Sequence, residues 1–149
     1  TVKVVPPVVT TKKEEKEVTF STDDVILLSL QKKDSSTNVI FVTYKNNFNI
    51  KNHTLNGYAQ ILKEILIRNG KNEYPNNESS VTVDEILIDK IKFNVIRQTI
   101  FFNDENYIGT KDFYISEIDE KEFMIVVANV NEEDRKNVKN SILNSTFKN

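Results

Sequence analysis

The side chain best suited to acid–base chemistry is the single histidine of the chain, His53. An imidazole titrates near neutral pH, so a loop histidine can act as a general acid, a general base or a metal ligand. Catalysis would also need a positioned partner, and no recognisable nucleophile motif surrounds His53. The alternative interpretation, an exposed loop residue just before the predicted helix start at Thr54, is favoured. We therefore predict no catalytic residue.

Acidic residues in the C-terminal half form a second group with chemical potential. They are Asp112, Glu117, Asp119, Glu120 and Glu122. Neighbouring carboxylates can hold a cation or take part in proton transfer. The last four straddle a predicted turn between strands, where polar residues are expected, and the chain has no calcium loop of the EF-hand kind. We therefore predict no metal site and no cofactor.

Aromatic residues near predicted loops and strand ends are the best candidates for binding a partner. Tyr44 and Phe48 flank a polar triplet. Tyr74 lies in a polar segment, and Tyr107 begins a predicted strand. Side chains presented by loops on a rigid scaffold commonly carry function. We predict a ligand- or partner-binding surface from these four residues and His53. The alternative is that Phe48 and Tyr107 only cover the ends of the core.

Composition excludes several classes of protein. The chain has 149 residues, which is enough for one domain with its own core. It contains no cysteine, so thiol catalysis, disulfides and cysteine-ligated zinc are excluded. Its 20 basic and 22 acidic residues are mixed along the chain, so no basic stripe is available to bind nucleic acid. No segment approaches the roughly 20 consecutive apolar residues of a membrane span.

Residues 1–17 differ from the rest, and we predict a linker or arm there, followed by a single domain at residues 18–149. The segment combines two adjacent prolines, threonines and a run of lysine and glutamate. An edge strand over residues 2–9 is the alternative, because sheets tolerate proline at their edges. A start without methionine is typical of a removed signal peptide or lipoprotein signal, and a fragment boundary explains it equally well. We expect an extracytoplasmic protein (periplasmic, outer-surface or secreted), with a lipid anchor upstream as one form of it.

Residues 81–149 predict antiparallel strands closed by a helix. Within residues 91–102, apolar side chains recur at Ile91, Phe93 and Val95, which is the period of a half-buried strand. The polar residues that follow are of the kinds that form tight turns.

Further turns and a helix follow in the same half. A turn at residues 103–106 closes a hairpin, and a second turn at residues 119–120 leads to an apolar run over residues 123–128 that suits a central strand. Asn131 precedes three acidic residues and predicts the start of a helix. Phe147 is predicted to join a short terminal strand or to dock as a tail.

The N-terminal half predicts one hairpin and one long helix. Residues 25–30 and 39–44 are β-branched and aromatic runs separated by a polar segment. Thr54 is the predicted N-cap of the helix and Gly70 its C-terminal cap. The apolar stripe of this helix comprises Leu55, Tyr58, Ala59, Leu62, Ile65 and Leu66. A long polar loop is predicted over residues 69–80, either as a mobile part of a binding site or as an insertion.

The order of these elements resembles the PsbP-like family over residues 18–147. The resemblance rests on TLNGYA at residues 54–59, IDKIKF at 88–93, EFMIVVA at 122–128, NEED at 131–134 and ILNSTF at 142–147. It implies an α+β fold in which an antiparallel sheet is flanked by helices, an αβα sandwich used mostly for binding. Such domains include a photosynthetic oxygen-evolving subunit, a nuclear-import factor and bacterial envelope lipoproteins. No functional residue transfers from them.

We therefore predict a non-enzymatic, extracytoplasmic binding or scaffolding module, similar to a bacterial lipoprotein or secreted domain, whose partner is a protein or another envelope component. Two alternatives remain open. One is a cytosolic adaptor or immunity-type protein that caps a partner through a sheet edge or face. The other is a small hydrolase that uses His53 together with a carboxylate.

Overall fold

The protein has an α+β fold that combines one six-stranded antiparallel sheet with two helices, as the sequence predicted. The structure, a computed structural model, describes residues 24–31, 33, 39–45, 54–102, 107–129 and 132–147, with the backbone alone at residues 24 and 107. In chain order the elements are β1 (Asp24–Gln31), β2 (Val39–Lys45), α1 (Leu55–Glu73), β3 (Glu78–Ile88), β4 (Ile91–Phe102), β5 (Tyr107–Ile118), β6 (Lys121–Asn129) and α2 (Glu132–Leu143).

The sheet has the strand order β1-β2-β6-β5-β4-β3, and every neighbouring pair is antiparallel. Strands β3 to β6 form a meander, whereas β2 pairs with β6, the last described strand of the chain. Val39, Phe102 and Asn129 lie at what we call the upper end of the sheet. Lys45 and Ile118 lie at the lower end.

Two of the turns between strands are two-residue hairpin turns. Asp89 and Lys90 have φ angles of 47° and 66°, and Asp119 and Glu120 have φ angles of 52° and 61°. Positive φ at both central residues is the mark of a type I′ turn, which matches the twist of the flanking strands. None of these four residues is glycine, so the left-handed backbone conformation costs about 1 kcal/mol at each of them. The predicted turn at residues 119–120 is confirmed.

Helix α1 begins where the sequence predicts. Thr54 is the N-cap, and its Oγ1 accepts a hydrogen bond of 3.0 Å from the backbone N–H of Gly57. This bond satisfies one of the donors that every helix leaves unpaired at its start. The helix residues that pack into the core are Leu55, Tyr58, Ala59, Leu62 and Leu66.

The end of α1 differs from the prediction that Gly70 caps it. The helix continues to Glu73, and the N–H of the C-cap residue Tyr74 donates to the Gly70 carbonyl at 2.9 Å. Gly70 is buried where the helix meets the sheet. A Cβ at this position would lie 3.0 Å from Nε2 of Gln98 and 3.3 Å from Oγ of Ser79. A close helix–sheet approach, and not a cap, explains this glycine.

The long loop predicted over residues 69–80 is wrong in extent. Helix α1 takes up its first five residues and β3 begins at Glu78, so only residues 74–77 connect the two elements. Nδ2 of Asn77 donates to the Phe101 carbonyl at 3.0 Å and ties this connection to β4. The first residues of β3 are polar and exposed, so the sequence shows no hydrophobic period there. Their strand conformation depends on pairing with β4.

The two helices lie against opposite faces of the sheet. Neighbouring residues of a strand point to opposite faces. On β4, Ile96 packs with Ala59 and Leu66 of α1, whereas Phe93 packs in the cluster that contains Ile142 of α2. We call the two sides the α1 face and the α2 face.

The C-terminal tail returns to the lower end of the α2 face. The ring of Phe147 lies 5.9 Å from that of Phe93 and 5.6 Å from that of Phe123, measured between centroids. The backbone N–H of Phe147 donates to Oδ2 of Asp89 at 2.7 Å. The docked tail predicted for Phe147 is confirmed, and the alternative of a terminal strand is wrong. The predicted N-cap Asn131 lies outside the described residues.

Candidate functional site

The five residues predicted to bind a partner lie at different places. Tyr44 is near the lower end of β2. Tyr74 follows α1 at the upper end, and Tyr107 begins β5 at the same end. Phe48 and His53 lie outside the described residues. The length of the sheet therefore separates Tyr44 from the two tyrosines at the upper end.

Tyr44 and Tyr74, the two candidate tyrosines whose side chains are described, each make a ring contact with a neighbouring side chain. Nζ of Lys121 lies 5.1 Å from the centroid of the Tyr44 ring, within the range of a cation–π contact. The ring of Tyr74 meets that of Phe102 edge to face, with 5.4 Å between centroids. Burial, followed by the charge of Glu73, raises the pKa of the Tyr74 phenol. Both tyrosines are therefore half-buried packing partners as well as surface residues.

The acidic residues of the C-terminal half do not form a metal centre. Glu117, Asp119 and Glu120 are exposed around the β5–β6 turn, as expected of turn residues. Asp112 and Glu122 are buried, which the turn interpretation did not predict. In the part of the chain that the structure describes, no three His, Cys, Asp or Glu side chains are grouped to hold a metal ion.

Asp112 forms the most deeply buried ion pair among the described residues, with Arg97. The two residues are directly opposed on β4 and β5. Nε and Nη2 of Arg97 donate to Oδ1 and Oδ2 of Asp112 at 2.7 Å and 2.9 Å, which is the bidentate geometry of a strong charge-assisted pair. The Asp112 side chain is 3% exposed and that of Arg97 26%. The hydrogen bond to Asp112 raises the pKa of Arg97, and burial opposes this only in part.

Two further cross-strand pairs continue from this ion pair toward the upper end of the α2 face. Thr99 opposes Thr110, and Phe101 opposes Ile108. Thr110 is buried, and its Oγ1 donates to the Asn129 carbonyl at 3.4 Å. Phe101 and Ile108 are 37% and 49% exposed. We call the patch formed by Arg97, Thr99, Phe101 and Ile108 the Phe101–Ile108 surface.

The Phe101–Ile108 surface is apolar at the end of the sheet and polar toward the middle. Its one cationic group, Arg97, is already neutralised by Asp112 at hydrogen-bond distance. A neutralised guanidinium attracts free anions weakly, yet the Arg97 side chain is 26% exposed, and guanidinium groups stack well on aromatic rings. The arrangement therefore suits contact with an apolar or aromatic side chain of another protein.

The sequence contained a weak signal for this surface. Arg97 occupies the position that continues the alternation of Phe93 and Val95, so a cation stands where the core period requires an apolar residue. Asp112 likewise shares the parity of the buried Tyr114 on β5. Two opposite charges at core-facing positions of adjacent strands indicate a pair, but recognising it requires the register between the strands.

Alkaline pH is expected to destabilise the protein through Tyr114. Burial, followed by the charge of Asp112, raises the pKa of Tyr114 to about 12, from about 10 for an exposed tyrosine. The folded state therefore holds the phenolic proton more tightly than the unfolded chain does. This contribution, about 3 kcal/mol, is fully present below pH of about 10 and is lost as the pH rises through about 12.

Urea unfolding at a series of alkaline pH values measures this effect. Tyr114→Phe removes the titrating group, so its free energy of unfolding should fall less steeply than that of the wild type. Tyr44→Phe serves as the control for loss of a phenol elsewhere on the sheet. Equal slopes for the wild type and Tyr114→Phe would contradict the assignment.

Comparison with known proteins assigns no family. No protein-family model matches the chain, and no curated protein is significantly similar to it. Within the described residues, neither α1 nor α2 has the combination of length and apolar character needed to cross a membrane.

Proposed function

We propose that the chain is a non-enzymatic binding module that contacts a protein partner through the Phe101–Ile108 surface. The observation that carries this proposal is the exposure of two large apolar side chains, Phe101 and Ile108, directly opposite each other on adjacent strands. Single exposed apolar residues are ordinary, but a contiguous pair on a rigid sheet supports a contact site. Aromatic and apolar residues with arginine beside them are the composition of interface centres.

A second aromatic pair at the same end adds to the support. Phe102, which follows Phe101 on β4, contacts Tyr74 on the opposite face of the upper end. Gly109 allows this packing, because a Cβ there would lie 3.0 Å from Cε2 of Phe102. The packing of Phe102 against Tyr74 therefore helps to fix the end of β4 that presents Phe101, which reduces the ordering cost of binding a partner.

The proposal includes a PsbP-like arrangement of the scaffold. It is supported by the element order, with a hairpin, a helix, a four-stranded meander and a final helix, and by the packing of the two helices on opposite sheet faces. A shared arrangement is a weak argument for function, so the site carries the proposal. The extracytoplasmic location expected from residues 1–17 stays a prediction.

Site-specific photo-crosslinking tests this proposal. A photoreactive amino acid replaces Ile108 in one variant and Leu143, an apolar residue of α2 that is 37% exposed, in a matched control. Each full-length variant is irradiated in an extract of the source organism, and adducts are identified by mass. We expect one discrete protein adduct from position 108, none from position 143, and loss of the position-108 adduct when Phe101→Glu is added.

Identical adducts from both positions, or no adduct from position 108, would contradict the proposed surface. Survival of the position-108 adduct in the Phe101→Glu background would also do so, because a glutamate at the centre of an apolar contact is desolvated without compensation.

The two alternatives gain less support. An adaptor that caps a partner would use the same surface in another compartment, so the crosslinking experiment does not depend on location. The hydrolase alternative depends on His53, which lies outside the described residues, and no observation favours it.

A further inference from the structure

The Phe101–Ile108 surface continues onto β3, where its neighbour is an acidic residue. Glu78 of β3 lies directly opposite Phe101, and Phe101 lies directly opposite Ile108. Directly opposed residues of neighbouring strands point to the same face of a sheet. Glu78, Phe101 and Ile108 therefore form one row across three strands at the upper end of the α2 face, and all three are exposed. We call these three residues the upper row.

The connection that precedes β3 fixes the position of Glu78. Nδ2 of Asn77 donates to the Phe101 carbonyl at 3.0 Å, and the backbone N–H of Asn77 donates to the Tyr74 carbonyl at 3.1 Å. These two bonds hold the start of β3 against β4. Neighbouring strands lie about 4.8 Å apart, so the carboxylate of Glu78 is held beside the ring of Phe101.

The charge of Glu78 is not neutralised by the described part of the chain, in which no basic side chain forms an ion pair with it. Arg97 lies on the same face of β4, but it is four residues from Phe101, which is about 13 Å along a strand. Its guanidinium is already bound by Asp112. That hydrogen bond and, to a smaller extent, the charge of Asp84 raise the pKa of Arg97.

Helix α2 supplies no counter-charge to the upper row either. Arg135 lies close enough to Tyr114 to lower the pKa of its phenol, against the larger effect of burial. Tyr114 lies opposite the β4 position six residues before Phe101, which is about 20 Å along the strand. Lys136 pairs with Glu132 of the same helix at 3.5 Å. Among the described residues, the charge beside the exposed apolar pair is therefore negative.

We propose that the partner is basic at this contact: it places an apolar side chain on Phe101 and Ile108 and a lysine or arginine beside Glu78. This inference rests on the proposed function and adds the chemistry of the partner. An unpaired carboxylate next to an apolar contact favours a partner that brings a cation and disfavours one that brings an acid. One helical turn is about 5.4 Å, close to the spacing of neighbouring strands, so an apolar and a basic residue one turn apart on a helix fit the upper row.

A second copy of the chain is a less suitable occupant of this surface. In a two-fold contact, the same patch is used on both copies. Each upper row would then face another acidic row with no basic residue among its three members. Charge complementarity therefore favours a different protein with a basic segment.

Two synthetic helical peptides that differ only in charge test the proposal on the full chain. Both carry the same apolar residues, with lysine one turn from each of them in one peptide and glutamate in the other. Binding is followed by the amide NMR signals of isotope-labelled protein. We expect the lysine peptide to shift the signals of Glu78, Phe101 and Ile108 and to bind about tenfold more tightly than the glutamate peptide.

Substitution of Glu78 isolates the charge from the apolar contact. Glu78→Gln should raise the dissociation constant of the lysine peptide about threefold, and Glu78→Lys about tenfold. Glu64→Lys is the matched control, because it makes the same change in net charge at an exposed residue of α1, on the other face of the sheet. This variant should bind like the wild type. Equal binding of the two peptides, no binding at the upper row, or unchanged binding to Glu78→Lys would overturn the proposal.

Crosslinking from position 108 separates this inference from the proposed function. We expect the adduct to be lost in a Glu78→Lys background and kept in a Glu64→Lys background. An adduct that survives Glu78→Lys would leave the partner surface standing and overturn the basic partner, whereas no adduct from position 108 in any background would count against the surface itself. Light scattering that shows a wild-type dimer, dissociated by Phe101→Glu, would assign the surface to a second copy and also overturn the inference.

Discussion

Replacing Arg97 with methionine is expected to lower the free energy of unfolding by about 3–5 kcal/mol. Methionine keeps much of the length of the side chain but removes both hydrogen bonds to Asp112, of 2.7 Å and 2.9 Å. The carboxylate of Asp112, 3% exposed, then has neither water nor a counter-ion. Arg97 itself is 26% exposed, so the loss should lie toward the lower end of this range. Urea unfolding near neutral pH measures it.

A second substitution and a matched control make this result interpretable. Arg97→Met/Asp112→Leu replaces the ion pair with two apolar side chains and should recover more than half of the loss, since a buried pair and an apolar pair are often of similar stability. Lys92 lies on β4 like Arg97, and Lys92→Met breaks its exposed ion pair with Glu85 of β3, which should cost less than about 1 kcal/mol. An Arg97→Met cost no larger than that of Lys92→Met would contradict the role assigned to Asp112.

Replacing Phe93 with alanine is expected to lower the free energy of unfolding by about 3–5 kcal/mol. Phe93 is fully buried on the α2 face. Its ring lies 6.2 Å from that of Phe123 and 5.9 Å from that of Phe147, so one ring holds both β6 and the C-terminal tail in place. Truncation leaves a cavity in addition to the lost apolar contact. The tail should also become more accessible to protease, because its stacked partner is absent.

Phe101→Ala is the matched control for this substitution. Phe101 lies on the same strand and the same face as Phe93, but it is 37% exposed at the other end of β4. We expect a smaller cost, about 1–2 kcal/mol, because the Phe101 ring is partly exposed and its removal leaves no enclosed cavity. Similar losses for the two variants would mean that the aromatic cluster at the lower end contributes no special stability.

The parts of the fold that could be predicted are those with a local physical cause. The N-cap at Thr54 and the apolar stripe after it specify α1, because a capping oxygen and a repeating apolar face need no distant residue. The same holds for β4, whose alternation marks a half-buried strand. Acidic residues at the start of α2 also act locally, through the helix dipole.

The parts that could not be predicted depend on residues distant in sequence. Gly70 does not mark the end of α1, because it packs closely against Gln98 and Ser79, which approach it only in the folded sheet. The start of β3 has the sequence of a polar loop, because its residues take strand conformation only from pairing with β4. Sequence periodicity contains no information on either contact.

The candidate site was only partly visible for the same reason. Tyr74 and Tyr107, predicted from the sequence, lie at the same end as Phe101 and Ile108, but the sequence does not indicate the exposed pair itself. Within a strand, exposed and buried apolar residues have the same sequence appearance. What distinguishes Phe93 from Phe101 is its packing against Phe123, Phe147 and the cluster that contains Ile142, which are brought together only by tertiary packing.

The position of β6 between β2 and β5 also fixes an order of events during synthesis. Strands β3 to β6 each pair with a neighbour in sequence, so this meander closes only short loops. The β1–β2 hairpin emerges first from the ribosome, yet its inner edge has no partner until β6 has been made. Until then, the edge of β2 that pairs with β6 in the folded sheet stays open, and an open strand edge on a nascent chain favours aggregation during this interval.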